Sequence, residues 1–165
     1  MAYDAFVADK NLTDVVEVSH GPTKTGAAML LAYLAAGPLI IAALVVVAGA
    51  ASPALTYFMG LYGAALIVFF GGVRWGVAVM KPNGPTMRSL VGATLPLLLA
   101  LPLFLPGDAS WKFPAIMALV ALLLIDDLRA TRRGSGAPAW YLGVRLPLTV
   151  LIEVAFLVAL VGMRG

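Results

Sequence analysis

The chain has 165 residues, 62% of them hydrophobic and 12% charged, with a mean hydropathy of +0.99. Soluble domains average roughly 45–50% apolar and 25% charged residues, so this balance excludes a water-soluble globule and indicates an integral membrane protein. The net charge of +3 sits at span ends and in short loops, which speaks for membrane topology and against nucleic acid as a partner.

Five apolar runs of 17 or more residues fill most of the length. The expected fold is an all-α integral membrane protein, a five-helix transmembrane bundle with a polar tail and no extramembrane domain. There is no cysteine, so disulfides, thiolate metal sites and thiol nucleophiles are excluded together. No histidine pair or acidic cluster has metal spacing, and neither a nucleophile elbow nor a phosphate-binding loop is present. No cofactor, metal site or catalytic residue is therefore expected, and a non-enzymatic protein is the reading.

Residues 1–25 form a polar tail with Asp4, Asp9, Asp14 and Glu17 against Lys10 and Lys24. A weak amphipathic spacing of Tyr3, Phe6 and Val7, then Val15, Val16 and Val18, allows one or two short helices on the membrane or a partner. The single histidine, His20, reads as solvated. Span one covers about 27–50 and is bent at Gly37-Pro38. Ala48-Gly49-Ala50 resembles a signal-peptide cleavage site, but the apolar run exceeds the roughly 7–15 residues of a signal core, so a retained span is expected.

A very short connection at Ala51 to Pro53 predicts that span two, about 54–80, runs back beside span one. On a helical wheel of about 100° per residue, Ala64, Gly71 and Arg74 all fall within about 40° of Gly60. Small faces let membrane helices approach closely, so Arg74 should point into the bundle. Gly72 and Gly76 form a GxxxG spacing on an adjacent face and are further candidates for helix packing.

Lys81-Pro82-Asn83-Gly84-Pro85 reads as a turn. Span three, about 89–105, contains Pro96 and Pro102, has no ionisable group and is expected to face lipid. Pro106-Gly107-Asp108 turns the chain again, with Asp108 or Ser110 as helix cap. Span four, about 111–128, ends in Asp126-Asp127-Leu128-Arg129, and the connection from Arg129 to Pro138 is basic and rich in Gly and Ser. Span five, about 139–163, begins Trp140-Tyr141, meets Arg145 and Pro147 early, and has Glu153 near its middle.

Nine of the eleven lysines and arginines, all but Lys112 and Arg164, fall on the side that holds the N-terminus. By the positive-inside rule the N-terminus is cytoplasmic and the C-terminus periplasmic, in a bacterial inner membrane. This topology brings Arg74, Asp126, Asp127 and Arg145 to one depth at the inner end. Arg74 lies roughly 9 Å into the inner half at about 1.5 Å per residue. An arginine at the centre of a span costs about 2.5–3.5 kcal/mol on insertion scales, so these charges should pair. The cluster is either an interhelical salt-bridge clamp or an anion-binding or proton-handling group facing a cavity.

Glu153 lies about 12 Å along the helix from Arg145 and about 80° round it, which leaves pairing dependent on a neighbouring helix. It reads either as a neutral acid hydrogen-bonded to a kinked backbone near Pro38 or Pro96, or as a proton-linked or ligand-polarising group.

The string Phe70-Gly71-Gly72-Val73-Arg74-Trp75-Gly76, the acidic-basic end Asp126 to Arg129, then Pro138-Ala139-Trp140-Tyr141 and Arg145-Leu146-Pro147-Leu148-Thr149 carry a family resemblance. Over about residues 30–160 the chain resembles the domain-of-unknown-function 3429 family, which includes a small mitochondrial five-span protein of animals. The doubled Asp126-Asp127 offers two acids for the family's one position. The resemblance implies a five-span inner-membrane protein and supplies no mechanism. The five-span tryptophan-rich sensory proteins match poorly, because three tryptophans do not reproduce their aromatic pocket.

The function expected from these features is an accessory, structural or assembly subunit of a larger inner-membrane complex, such as a respiratory or photosynthetic one. Its partners would be membrane lipids and the proteins of that complex, or a second copy of the chain. The alternative is a small transporter or binder of a lipid, quinone or other amphiphile, suggested by the bending prolines and by Arg74 with Glu153. Five spans do not divide into two equal repeats, which counts against transport by one chain.

Overall fold

Side-chain capping marks the starts of the second and third helices. The computed structural model of the chain describes residues 22–163 apart from 82, 135, 136 and 139, with side chains from residue 26 onward. Five helices follow in order: α1 (Pro22–Val47), α2 (Pro53–Val79), α3 (Met87–Phe104), α4 (Ala109–Arg132) and α5 (Tyr141–Gly162). Ser52 caps α2 by accepting the Leu55 amide at 3.2 Å, with Pro53 just inside the first turn. Thr86 and Ser89 cap α3 reciprocally in a capping box. Gly84 takes a positive φ of 75° in the turn between α2 and α3, a conformation that costs glycine little. Asp108 occupies the cap position of α4, but its side chain makes no capping bond, contrary to expectation. Helix α4 also runs one turn further than expected, to Arg132, placing Arg129 and Arg132 in its last turn, where the helix dipole favours cations.

Most of the expected tail, and with it the amphipathic spacing and His20, lies outside the described residues. Helix α1 already begins at Pro22.

Helices α1, α2, α3 and α5 are each long and apolar enough to cross a membrane. Helix α4 carries Lys112 near one end and Asp126, Asp127 and Arg129 near the other, which leaves residues 113–125 uncharged. It lies against α2 and α5, and its Lys112, Phe113, Ile116, Val120, Leu123 and Asp127 are buried. The chain is thus an all-α transmembrane bundle whose most polar helix buries one face against its neighbours.

The two widest interfaces are α2 with α3 and α1 with α5. The expectation that α1 and α2 lie side by side is met only loosely, because few of their backbone positions come close. A tight connection fixes where two helix ends meet, not which faces meet. The small face of α2 is taken by other partners: a Cβ on Gly63 would lie 2.7 Å from Phe156 and 2.9 Å from Ile116, and one on Gly71 would lie 2.9 Å from the Ala93 carbonyl. A direct tie from α1 to α2 is the Tyr62 hydroxyl, which donates to the Ala35 carbonyl at 2.7 Å, three residues before the helix-perturbing Pro38.

Helices α1 and α5 run parallel. Met29, in the third turn of α1, approaches Gly143 in the first turn of α5, and Val46 and Val47 approach Gly162 near the last turns of both. In the core, Phe113 and Phe156 meet edge to face with centroids 4.9 Å apart. Helix α3 is not wholly lipid-facing as expected: Ala93, Pro96, Ala100 and Leu103 are buried, while Leu95, Leu97, Leu98 and Leu101 face outward.

Candidate functional site

Arg74 sits one turn before the end of α2, next to the close approach of α2 and α3 at Gly71. Its guanidinium is largely enclosed, with 14% of the side chain exposed, and all three of its nitrogens find acceptors. Nε donates to Asp127 Oδ1 at 2.7 Å, Nη2 to the Leu123 carbonyl at 2.8 Å, and Nη1 pairs with Asp126 Oδ2 at 3.0 Å. Nη1 also lies 3.4 Å from the Gly92 carbonyl of α3. Gly92 is four residues before Pro96, so the proline withholds the amide that would normally take this carbonyl. The arginine and the proline answer each other across the α2–α3 contact.

Asp127 is the hub. Its Oδ2 accepts from Arg145 Nε at 3.2 Å and from the Tyr141 hydroxyl at 3.3 Å, while Oδ1 faces Arg74. One buried carboxylate thereby joins α2, α4 and α5. Arg145 is 2% exposed; its Nη1 donates to Thr149 Oγ1 at 2.7 Å, and Thr149 in turn donates to the Arg145 carbonyl at 3.0 Å. The guanidinium of Arg145 stacks on Phe70 with Cζ 3.4 Å from the ring centroid, and its Nη2 is buried without a hydrogen-bond partner. Of the two acids, Asp126 is the outer one, with 62% of its side chain exposed against 7% for Asp127.

Two arginines against two aspartates leave the cluster near electrical balance. Such an arrangement satisfies buried charge in place and fixes the register of three helices.

Glu153 does not join this cluster. It forms no ion pair with Arg145, and its Oε1 is buried with no hydrogen-bond partner, so the expected bond to a kinked backbone is corrected as well.

Of the small residues singled out for packing, Gly60, Ala64 and Gly71 are buried. Gly72 and Gly76 make no close contact within the bundle, since nothing lies within 4 Å of a Cβ built on either.

Arg145 joins the cluster as expected, whereas the sequence reading assigned no contact to Tyr141, Thr149, Phe70 or Gly63. Tyr141, Arg145 and Thr149 are spaced by four and share one face of α5, a signal that was available. Phe70 carries the arginine stack, and Gly63 rather than Gly72 is the tight glycine. At the opposite end of the bundle Lys112 is 3% exposed. Its ammonium donates to the Leu105 carbonyl and lies 5.7 Å from the Tyr57 ring centroid and 5.8 Å from that of Trp111.

Beside Arg74 the ends of α2, α3 and α4 enclose a cleft of about 310 Å³, lined by Lys81, Arg88 and Arg133 as well as by Asp126 and Asp127. Among the described residues no group of three or more histidines or carboxylates could hold a metal ion.

The family described as Protein of unknown function (DUF3429) matches residues 23–161. The chain is similar to Transmembrane protein 69 of Xenopus tropicalis, with 31% identity over 108 residues. That stretch is 64% of this chain and 42% of the relative, so the chain spans less than half the length of the relative it matches. No solved structure matches.

Proposed function

The chain belongs to the DUF3429 family of proteins, and from that premise we propose that it is a non-enzymatic accessory, structural or assembly subunit of a larger inner-membrane complex. The observation that carries this reading is the saturation of Asp127. Its two oxygens are taken by Arg74, Arg145 and Tyr141, so this buried charge is spent on joining helices and not held ready for substrate. The outward faces supply the means of association. Leu30, Leu31, Leu34, Ile41 and Leu44 project from α1, where lipids or the helices of a partner would cover them.

The basic ends support an orientation with the N-terminus cytoplasmic and the C-terminus periplasmic in a bacterial inner membrane. Lys81, Arg88, Arg129, Arg132 and Arg133 lie at the end of the bundle where α2 and α4 finish and α3 begins.

The test is purification of the tagged chain from its native membrane in mild detergent, with native sizing and mass spectrometry of what accompanies it. Stoichiometric protein companions are the expected result. A homo-oligomer carrying a reproducible lipid or quinone would instead favour small-molecule binding or transport.

A further inference from the structure

The cleft beside Arg74 carries more positive charge than the protein itself neutralises. Arg74 and Arg145 are matched by Asp126 and Asp127. Lys81, at the end of α2, Arg88, in the first turn of α3, and Arg133, at the end of α4, then remain, and none of them forms an ion pair among the described residues. Three helices therefore deliver three uncompensated cations to one concavity. Like charges brought together repel, and an anion held between them removes that cost.

The rest of the cleft narrows the anion. Its volume of about 310 Å³ is at the lower end of small-molecule sites, enough for a headgroup-sized ligand. Val73, Val77 and Ala78 of α2 form an apolar wall beside the cations. A cationic pocket with an apolar flank between spans, at the end of the bundle where basic residues gather, suits a phosphate group attached to an amphiphile.

We propose that this cleft is a binding site for a phosphate group, presented by an acidic phospholipid headgroup or by free phosphate. Lys81, Arg88 and Arg133 supply the charge, and Arg74 forms the floor while remaining tied to Asp127. The inference stands apart from the accessory role, since a lipid site can serve a subunit or a solitary protein alike.

The positive-inside rule alone would also place cations at this end, so the test compares charges inside and outside the cleft. Arg129 and Arg132 are exposed on α4 and do not line it. The full chain in neutral detergent is titrated with short-chain phosphatidylglycerol, short-chain phosphatidylcholine or inorganic phosphate, and its thermal melt is followed.

Phosphatidylglycerol should raise the melting temperature and phosphatidylcholine should not. K81Q/R88Q should raise the half-saturating concentration about thirtyfold, which corresponds to about 2 kcal/mol at about 1 kcal/mol per cation. R129Q/R132Q, which removes as much charge from the same end, should change it less than about threefold. R133Q provides the same comparison from a third helix if the first pair lowers the yield of folded protein. Protection by inorganic phosphate alone would identify the free anion as the ligand, and protection only by phosphatidylglycerol the lipid headgroup. Equal effects of the two double variants, or no protection of the wild type by either anion, would overturn the proposal.

Discussion

Arg145 and Phe70 stack across the α5–α2 contact, with the guanidinium carbon 3.4 Å from the ring centroid and both side chains 2% exposed. The stack lies just inside the Asp127 hub and holds the guanidinium flat against α2. Desolvated cation–π contacts are worth about 2 kcal/mol, so Phe70→Leu should lower stability by about 2–3 kcal/mol in a detergent melt, the excess being lost packing. Phe69→Leu, at a ring that is 58% exposed, should change it by less than about 0.5 kcal/mol.

The paired acids make a sharper comparison. Asp127→Asn leaves Arg74 and Arg145 without their shared anion and should cost about 3–5 kcal/mol. Asp126→Asn removes a pair exposed on its acidic side and should cost no more than about 1 kcal/mol. Melts of the two variants in the same detergent decide the matter, and equal losses would demote Asp127 as the hub.

Glu153 reverses an expectation. Its residue type and depth suggest a hydrogen bond that leucine could not replace, yet Oε1 is buried without a partner. Removing an unsatisfied polar group in favour of an apolar one of similar size is close to neutral or stabilising. Glu153→Leu should therefore melt at or above the wild-type temperature. A fall of several degrees would mean that the carboxyl is held by something the bundle alone does not supply.

The glycines separate by contact. Gly63→Ala places a methyl within 2.9 Å of both Phe156 and Ile116 and should cost about 1–3 kcal/mol by overpacking. Gly72→Ala meets open space and should stabilise α2 by about 0.5–1 kcal/mol through helix propensity. Thermal melts check both, and a stable Gly63→Ala would show that the α2–α4–α5 junction is looser than these distances imply.

The helices, their approximate limits and the inward aim of Arg74 were legible in the sequence because each depends on properties local to one span. Hydropathy sums along a segment, and the small face of α2 is a matter of spacing. Adjacency was less legible. The short link after Val47 constrains only where α1 and α2 join, so the pairing of α1 with α5 follows from faces that meet in three dimensions. The doubled acid could not be resolved by counting, since Asp126 and Asp127 differ by one position and by 100° about the helix. Pro96 was read as a bend, whereas its effect on the site is the Gly92 carbonyl it leaves for Arg74. Lys112 was counted only as a cation at the outer end of span four, and its contacts with the Leu105 carbonyl and two aromatic rings are gathered from three segments.

The parallel pairing of α1 with α5 also imposes an order on manufacture. More than ninety residues separate Val47 from Tyr141, so at roughly 5–20 residues per second the first span waits about 5–20 s for its main partner. During that interval the surface that will receive Gly162 is covered by lipid or by an insertion factor, while α2, α3 and α4 can already assemble around Gly71 and Arg74. Helix α5, emerging after the other four, brings Arg145 to Asp127 and shuts the bundle against α1, so any interruption before α5 strands α1.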